Sequence, residues 1–463
     1  MAELVVKKSN KLGAKAWVSI VLFGLMGQLA WMVENIYFST FIQKNITTEP
    51  WATSVAVTAS AVVAAVVTIL GGVLTDRIGK RKVFVCYGYI IWGIITASFA
   101  LFGNNHVDKA QVVQMVIVFV LMDCVMTIFG SMSNDAAFSA WVTDITDITN
   151  RGFVDVILSI MPVAALMIIF VVFDGLTQTG NWTTFFLILG GMTMASGFVG
   201  LWLLKDSPKL KPDKSGKYLA EVAYGFRPKN IKTHKMIYIC LVGMMFSGLS
   251  MQLWQPQMIM LLQYTMGFGD NYVLPLALVV LLSAGIAVLG GKLMDKFGKE
   301  KFFYPVSAAG VLGGLVVFAI KFVPADSPLR FAMFVVGGTL IEGASLMAAG
   351  LFNASARDYT PEDKAGCFQG IRIIIFVMMP MIIGSIVNPL VINGFGEVLT
   401  EYNDLIKPGC GYEIGDHIYP FEMFLFSAIA AAFVFVPAFI VRKKDKQLRA
   451  EKLANLAVEV QEK

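Results

Sequence analysis

Five acidic side chains and one arginine stand inside long apolar runs of this sequence. The acids are Glu34, Asp123, Asp135, Asp155 and Glu342, and the cation is Arg372. A charge at the centre of a bilayer costs about 2.5–3.5 kcal/mol on insertion scales, so such residues need a function or a partner. Glu34, Asp123 and Glu342 lie farthest from the basic ends of their runs, and we predict that they bind a coupling cation. For Asp135 and Asp155, near the inner ends, a function and an interfacial salt bridge both remain open.

Amide and aromatic side chains accompany these acids at helical spacing. Gln28, Trp31 and Asn35 recur every three or four residues beside Glu34, and Asn134 lies three helical turns after Asp123. A second group surrounds Pro256, which removes a backbone hydrogen bond and predicts a kinked helix. Aromatic faces beside amides suit a sugar, although an interfacial aromatic belt is the alternative for the second group. The predicted substrate-binding residues are Gln28, Trp31, Asn35, Asn134, Gln252, Trp254, Gln255 and Arg372.

Arg372 has two interpretations that the sequence leaves open. It is the only cation predicted to lie deep in an apolar run. It either neutralises an acid of the opposite half, Asp123 or Asp155, or binds an anionic substrate such as a hexuronide.

The elements that position these residues are membrane-spanning helices. Hydrophobic residues make up 57% of the chain and charged residues 15%, fewer than a soluble protein of this length carries. Apolar runs of about 20 residues can each cross a bilayer. We predict twelve spans, at 16–42, 51–75, 82–103, 110–141, 152–174, 181–204, 236–263, 271–294, 302–322, 329–355, 365–392 and 419–441. The polar segment 393–420 is predicted to be an external spacer.

The distribution of cations orients the predicted spans. Most of the 37 lysines and arginines fall in the termini and in the connections on the same side, while the other side holds only Lys44, Lys109, Lys321, Arg330 and Lys407. By the positive-inside rule both termini are cytoplasmic. Cations spread over short loops do not indicate binding to nucleic acid. The five cysteines show neither a disulfide framework nor a metal-ligand spacing.

Two short segments recur in the two halves of the chain. "GGVLTDRIGKRK" (71–82) returns as "GGKLMDKFGKEK" (290–301), and "DITDITNRG" (144–152) matches "DYTPEDKAG" (358–366) at a similar offset. A Lys- and Pro-rich linker separates the halves. The repeats therefore predict a duplicated six-helix unit, with an N-terminal bundle (1–204), a linker (205–235), a C-terminal bundle (236–441) and a cytoplasmic tail (442–463).

With these motifs the sequence resembles the major facilitator superfamily of secondary transporters. The stretches "NDAAFSAWVTDITDITNRG" and "ARDYTPEDKAGCFQGIR" are similar to the glycoside–pentoside–hexuronide cation symporters, the relatives of melibiose permease. The resemblance implies an all-α membrane protein whose twelve helices form two pseudo-symmetric six-helix bundles, the major facilitator fold. It also implies a gating role for Asp76, Arg77, Asp295, Lys296, Asp144, Arg151 and Asp358. The remaining loop cations Lys80, Arg81, Lys82, Lys299 and Lys301 are predicted only to set topology.

The predicted function is symport of a sugar or glycoside across the plasma membrane by a monomer. Sodium-coupled relatives carry carboxylates on the second span, whereas 51–75 contains none, so we predict proton rather than sodium coupling without a cofactor or a metal. An exporter of amphipathic compounds and a transporter-like sensor are the alternatives. A membrane enzyme is disfavoured because no phosphate-binding G-x-x-x-x-G-K-[ST] motif occurs and His106, His234 and His417 lie in loops or at a span end.

Overall fold

Twelve helices in the described chain are long and apolar enough to cross a membrane, which confirms the predicted number. The computed structural model describes residues 12–103, 110–146, 151–208, 210, 212, 226–360, 365–400, 412 and 414–461. The spans are α1 Ala14–Ile46, α2 Pro50–Ile78, α3 Arg81–Phe102, α4 Val112–Ile145, α5 Ile157–Gln178, α6 Trp182–Leu203, α7 Lys235–Thr265, α8 Gly269–Met294, α9 Phe303–Phe322, α10 Leu329–Tyr359, α11 Gly370–Phe395 and α12 Glu422–Leu448. A short helix, Pro228–Thr233, precedes α7.

The chain divides into two compact units. The N-terminal unit comprises Met1–Thr47 and Val62–Tyr218, and the C-terminal unit comprises Thr48–Ala61 and Leu219–Lys463. Each unit therefore contains the main part of six spans. The spans of each unit have a basic end, where the Lys- and Arg-rich connections lie, and an opposite end.

Close helix packing inside each unit depends on small residues. In the N-terminal unit a methyl group on Gly190 of α6 would lie 2.6 Å from the carbonyl oxygen of Gly93 on α3. In the C-terminal unit a methyl group on Gly313 of α9 would lie 2.7 Å from the carbonyl oxygen of Gly337 on α10. Helices in a bilayer associate by this kind of backbone approach because lipid provides no hydrophobic drive between them.

The repeated basic loop contains a glycine with a positive φ in both copies. Gly79 follows α2 with a φ of 65°, and Gly298 follows α8 with a φ of 94°. A side chain at this φ is strained, so a glycine is required where the chain turns from one span into the next. This shared positive φ explains why the third glycine of the motif is present in both halves.

Several spans depart from regular α-helix near the predicted site residues. The π-helical segments are Val33–Tyr37, Ile42–Ile46, Ser131–Phe138, Ile169–Phe173, Leu261–Thr265 and Ile373–Met378. The π-helix forms i→i+5 hydrogen bonds and occurs frequently at functional sites. In α7 the regular helix ends at Gln252, and Gln255–Gln257 forms a 3₁₀ turn around Pro256, which confirms the predicted kink.

The described part of the segment 393–420 packs against the C-terminal unit, and its role as a spacer stays a prediction. Residues Val398 and His417 form an antiparallel bridge, and Thr265 at the end of α7 donates a 2.7 Å hydrogen bond to the carbonyl oxygen of Tyr419. The described residues of this segment that are buried are Leu399, Tyr412, Tyr419 and Pro420. These apolar and aromatic residues are dispersed among glycines and charges, and for this reason the sequence pattern resembled a spacer.

Candidate functional site

Two predicted coupling acids lie together inside the N-terminal unit. Glu34 belongs to the π-helical segment of α1 and is 8% exposed, while Asp123 of α4 is 2% exposed. The hydroxyl oxygen of Thr127 lies 3.2 Å from Glu34 Oε1 and 2.9 Å from the carbonyl oxygen of Asp123. Glu34 is also the charged group that acts electrostatically on Asp123. The structure therefore forms one carboxyl pair from residues on two spans.

One oxygen of this carboxyl pair makes no hydrogen bond to a described residue. The Oδ1 atom of Asp123 is buried and has no hydrogen-bond partner among the described residues. Two carboxylates that share a buried site disfavour simultaneous ionisation, because each charge repels the other in a low dielectric. A site of this type can take up and release one proton.

A cluster of aromatic and amide groups lies nearer the basic end of the same unit. The rings of Trp31 and Trp92 are 5.1 Å apart between centres. Asn134 donates a 3.0 Å hydrogen bond to Asp135 and accepts a 2.9 Å bond from the hydroxyl of Tyr89. Asp135 is half-buried, and Trp31 interacts with it as well. The cluster thus brings together ring faces, an amide and a carboxylate, which are the groups that bind sugars.

The other predicted residues of α1 border this cluster. Gln28 is half-buried, whereas Asn35 is exposed and donates a 2.8 Å hydrogen bond to the carbonyl oxygen of Trp31. A methyl group on Gly27 would lie 2.6 Å from the hydroxyl of Tyr89, so this position has room only for glycine. Helix α1 therefore approaches α3 closely at this level.

In the C-terminal unit, amides meet at the break in α7. Asn388 of α11 donates to the carbonyl oxygen of Gln252 at 3.3 Å and to Gln257 Oε1 at 3.4 Å. Gln252 and Gln255 are half-buried, so part of each remains accessible. Trp254 is 3% exposed, and its ring packs 5.5 Å from that of Phe424. Trp254 is thus a packing residue here, while the amides form the polar part of this site.

The two other predicted residues of the C-terminal unit share no described contact with this amide cluster. Glu342 of α10 and Arg372 of α11 are both half-buried. No described residue forms an ion pair with either of them. The charged group that acts on Arg372 is Arg357, a second cation.

At the basic end of the N-terminal unit, Arg81 organises an ion cluster. It pairs with Asp76, lies 3.2 Å from Asp144 through Nε, and donates a 2.5 Å hydrogen bond to Thr75. Its side chain is 6% exposed. The prediction that Arg81 only sets topology is wrong, because a cation buried this deeply requires the acids around it.

Lys299 organises the corresponding cluster of the C-terminal unit. Its ammonium lies 2.7 Å from Asp358 and 3.3 Å from Asp445. Asp445 also accepts a 2.6 Å hydrogen bond from Ser355 and a second bond from Tyr359. Lys299 is therefore an ion-pair residue rather than the topological cation that we predicted.

The structure thus gives partners to some predicted gating residues and not to others. Asp76, Asp144 and Asp358 each pair with a cation of their own unit, whereas Arg77 and Lys296 are exposed. The side chains of Arg151, Asp155 and Asp295 lie outside the described residues. A gating role for this set stays a prediction.

Sequence reasoning missed several residues that complete these clusters. Thr127, Trp92 and Asn388 carry ordinary side chains in apolar runs, and nothing in a single sequence marks their partners on other spans. Asp445 had a usable signal, since it is an acid in the otherwise basic start of the tail. Asp174 was also missed; it is 1% exposed and accepts bonds from Tyr37 at 2.9 Å and Gln178 at 2.5 Å, so it joins α1 to α5.

The fold has clear relatives among solved structures. A bacterial homologue of the human lysosomal transporter Spinster superposes with a TM-score of 0.66 at 16% identity, over 94% of this chain and 99% of the other. A D-xylose–proton symporter gives 0.66 at 12% identity, over 92% and 96%. The nucleoside transporter NupG gives 0.63 at 11% identity, over 92% and 97%. At these identities the likeness concerns the fold.

Sequence comparison identifies the family. No curated protein matches the chain in sequence. The family model of the Major Facilitator Superfamily matches residues 20–385, most of the chain. Together with twelve membrane-spanning helices and the repeated basic loop, this match shows that the chain is a multi-pass membrane protein and belongs to the major facilitator superfamily of transporters.

Proposed function

We propose that this transporter is a symporter that couples the entry of a sugar or glycoside to the entry of protons across the plasma membrane. The observation that carries the proposal is the buried pair of Glu34 and Asp123 in the N-terminal unit. One elementary charge moving through 100 mV provides about 2.3 kcal/mol, enough for roughly fifty-fold accumulation of a neutral solute. A single exchangeable proton on the pair is therefore sufficient.

Proton coupling is favoured over sodium coupling by the donors around the pair. The carboxyl of Glu34 accepts a hydrogen bond from the hydroxyl of Thr127, and Asp123 Oδ1 has no hydrogen-bond partner among the described residues. Among the described residues, no three His, Cys, Asp or Glu side chains come together into a cation cage. A hard cation prefers several oxygen ligands at once, whereas a proton needs only one carboxyl oxygen.

A sugar or glycoside is favoured by the ring faces and amides of the N-terminal unit. Trp31 is half-buried, so part of its surface remains accessible next to Asn134 and Asp135. Aromatic rings pack on the C–H faces of sugars, and amides and carboxylates bind the hydroxyl groups. Nucleosides also carry a sugar, and they belong in the test panel because NupG shares the fold.

The decisive experiment is uptake into proteoliposomes. Labelled neutral glycosides, hexuronides and nucleosides are presented with an imposed pH gradient and, separately, with a sodium gradient. We expect accumulation of a glycoside under the pH gradient alone, and its loss when the gradient is collapsed. Accumulation that requires sodium, or substrate-driven export of amphipathic compounds, would contradict the proposal.

An acidic sugar is a second candidate substrate because of Arg372. This half-buried cation has no acidic partner among the described residues, and Arg357 adds a second positive charge near it. Guanidinium groups bind carboxylates in a bidentate manner. If the substrate is a hexuronide, Arg372→Gln reduces its uptake at least about tenfold and leaves neutral glycosides unaffected. Equal loss for acidic and neutral sugars would contradict recognition of the carboxylate.

The orientation of the chain in the membrane is part of the same proposal. Because the cations gather at one end of the spans, we place both termini in the cytoplasm. An epitope tag at the C-terminus should be inaccessible to antibody in intact cells and accessible after permeabilisation. Labelling of intact cells would contradict this orientation.

A further inference from the structure

Helix α4 carries a polar side chain at every fourth position. Asp123, Thr127, Ser131 and Asp135 follow one another at this spacing, which places them along one side of the helix. Asp123, Thr127 and Ser131 are fully or almost fully buried, whereas Asp135 at the end of the row is half-buried. The row therefore leads from the carboxyl pair towards the basic end of the N-terminal unit.

Two polar atoms at the middle of this row are buried without an ordinary hydrogen bond to a described residue. The hydroxyl of Ser131 on α4 and the indole N–H of Trp92 on α3 are both fully buried. Neither makes a hydrogen bond of ordinary geometry to a described residue, and the acid that interacts with Ser131 is Asp135. The indole of Trp92 lies against the residue that precedes Ser131, since a methyl group on Gly130 would lie 3.0 Å from Trp92 Cε2, the carbon bonded to the indole nitrogen. Buried polar groups of this kind are satisfied by ordered water in most proteins.

The side chains of the row are so far apart that a proton needs water to pass from one to the next. Residues four apart on an α-helix are separated by about 6 Å along its axis. Direct proton transfer needs heavy atoms about 2.6–3.2 Å apart, or one water between them. Ser131 also begins the π-helical segment Ser131–Phe138, where the wider turn changes the backbone hydrogen bonding of α4.

We propose that this row is a proton path that connects the Glu34–Asp123 pair with water at Asp135, through Thr127, Ser131 and an ordered water held by Ser131 and Trp92. The inference rests on the proposed proton coupling and assigns its route. Thr127 and Ser131 are not among the residues that we propose to bind the sugar, whereas Asp135 also belongs to the aromatic and amide cluster. The other titratable groups that face the row are Glu34 from α1 and Tyr89 from α3, whose hydroxyl is bound to Asn134.

In each step along the row, an oxygen that receives one proton releases another. A carboxyl of the pair gives its proton to the oxygen of Thr127, which releases its own hydroxyl proton towards the next oxygen. Water and Ser131 repeat this exchange, and the carboxylate of Asp135 accepts the last proton before it enters bulk water. Net movement is one proton, with every hydroxyl and water restored after reorientation. Trp92 only donates a hydrogen bond and acts as a positioning residue for the water.

The test separates proton movement from sugar movement. Exchange of labelled for unlabelled sugar across the membrane requires no net proton release, whereas net uptake does. We expect Ser131→Ala to slow net uptake driven by a pH gradient at least about tenfold, while exchange and substrate affinity stay within about twofold of the parent. Trp92→Phe, which keeps the ring and removes the N–H, should slow net uptake less and enlarge its solvent deuterium isotope effect.

Ser133→Ala is the matched control. Ser133 lies in the same π-helical segment and is buried, but its hydroxyl donates to the carbonyl oxygen of Phe129 at 2.6 Å and is outside the row. This variant should show parental net uptake and exchange. Net uptake by Ser131→Ala within twofold of the parent, or an equal loss of exchange and net uptake, would overturn the proton path. Failure of the parent itself to accumulate sugar with a pH gradient would overturn the proposed coupling along with it.

Discussion

The interiors of the two units carry different chemistry. The N-terminal unit buries the carboxyl pair Glu34 and Asp123, whereas the buried polar groups at the break in α7 of the C-terminal unit are the amides Gln257 and Asn388, and the acid Glu342 of that unit is half-buried. An acid can change its charge during transport, while an amide cannot. Under the proposed function, proton coupling belongs to the carboxyl pair of the N-terminal unit, and the amides of the C-terminal unit can contribute only to recognition without ionisation.

The largest effect is expected when the carboxyl pair is broken. Asp123→Asn keeps the shape of the side chain and removes its titration. Accumulation of sugar should therefore fall from roughly fifty-fold to equal concentrations inside and outside. Exchange should persist, because it needs no net proton movement. Uptake and exchange in energised proteoliposomes provide the measurement.

Asp174→Asn is the control for this prediction. Asp174 is equally buried in the same unit, but it is already bound by Tyr37 and Gln178. This variant is expected to lose some thermal stability and to retain uphill accumulation. If both variants lose coupling to the same extent, the loss reflects damaged packing rather than the carboxyl pair.

The ion clusters at the basic ends differ in which partner is buried. In the N-terminal unit the cation Arg81 is 6% exposed and Asp76 38%, whereas in the C-terminal unit the acid Asp445 is 2% exposed and Lys299 22%. Lys299→Ala leaves a buried carboxylate without its cation and should cost about 3 kcal/mol, more than the ~1–2 kcal/mol expected for Arg81→Ala. Thermal unfolding in detergent measures both.

A second substitution sharpens this comparison. Asp445→Asn should recover part of the stability lost in Lys299→Ala, because the stranded charge is removed. Asp76→Asn should recover nothing in Arg81→Ala, since water already reaches Asp76. Absence of recovery in the first pair would contradict the interpretation that a stranded buried charge causes the loss.

A smaller effect is expected at the amides of the C-terminal unit. Asn388→Ala removes the hydrogen bonds to Gln252 and Gln257 and should raise the KM for sugar about fivefold, with an unchanged ratio of protons to sugar. Asn271→Ala, at an exposed position of the same unit, should change neither quantity. A change in the ratio of protons to sugar for Asn388→Ala would contradict the proposal that the carboxyl pair of the N-terminal unit alone carries the proton.

The smallest effect is expected at Tyr412. Burial, followed by the neighbouring Tyr419, raises the pKa of this phenol well above its usual 10.0. The neutral phenol is therefore favoured in the folded protein, and its contribution to stability is present below pH 10.0 and is lost at higher pH. Since the hydroxyl lacks a partner among the described residues, Tyr412→Phe should change stability by less than about 0.5 kcal/mol at pH 7.

The same variant should melt with a weaker dependence on pH above 10.0 than the parent. Thermal unfolding at pH 7 and at several alkaline values provides the measurement. An identical alkaline decline in both proteins would show that Tyr412 does not contribute to it.

Much of the fold could be predicted because its signals are local. Apolar length gave the twelve spans, the repeated glycine preceded a real left-handed turn at Gly79 and Gly298, and Pro256 marked the break in α7. These features depend on residues that are close in sequence. The membrane makes them unusually informative, because a chain that crosses lipid must satisfy its backbone groups within each helix.

The contacts between spans could not be predicted in the same way. The sequence marked Glu34 and Asp123 as unusual but contained no sign that Thr127 of α4 forms a hydrogen bond with Glu34 of α1. In the sequence, Arg81 and Lys80 are two neighbouring basic residues of one loop. In the structure Lys80 is exposed, whereas Arg81 is buried among acids. Partner choice depends on helix rotation and packing, which the π-helical segments of α1 and α4 alter beyond any regular periodicity.

Sugar-induced proton movement in a weakly buffered, sodium-free suspension of proteoliposomes tests the central claim most directly. The parent should remove protons from the outer medium when its sugar is added, and the Glu34→Gln, Asp123→Asn double variant should remove none while still exchanging sugar. Proton uptake by the double variant equal to that of the parent, or sugar entry into the parent without proton uptake, would contradict the account.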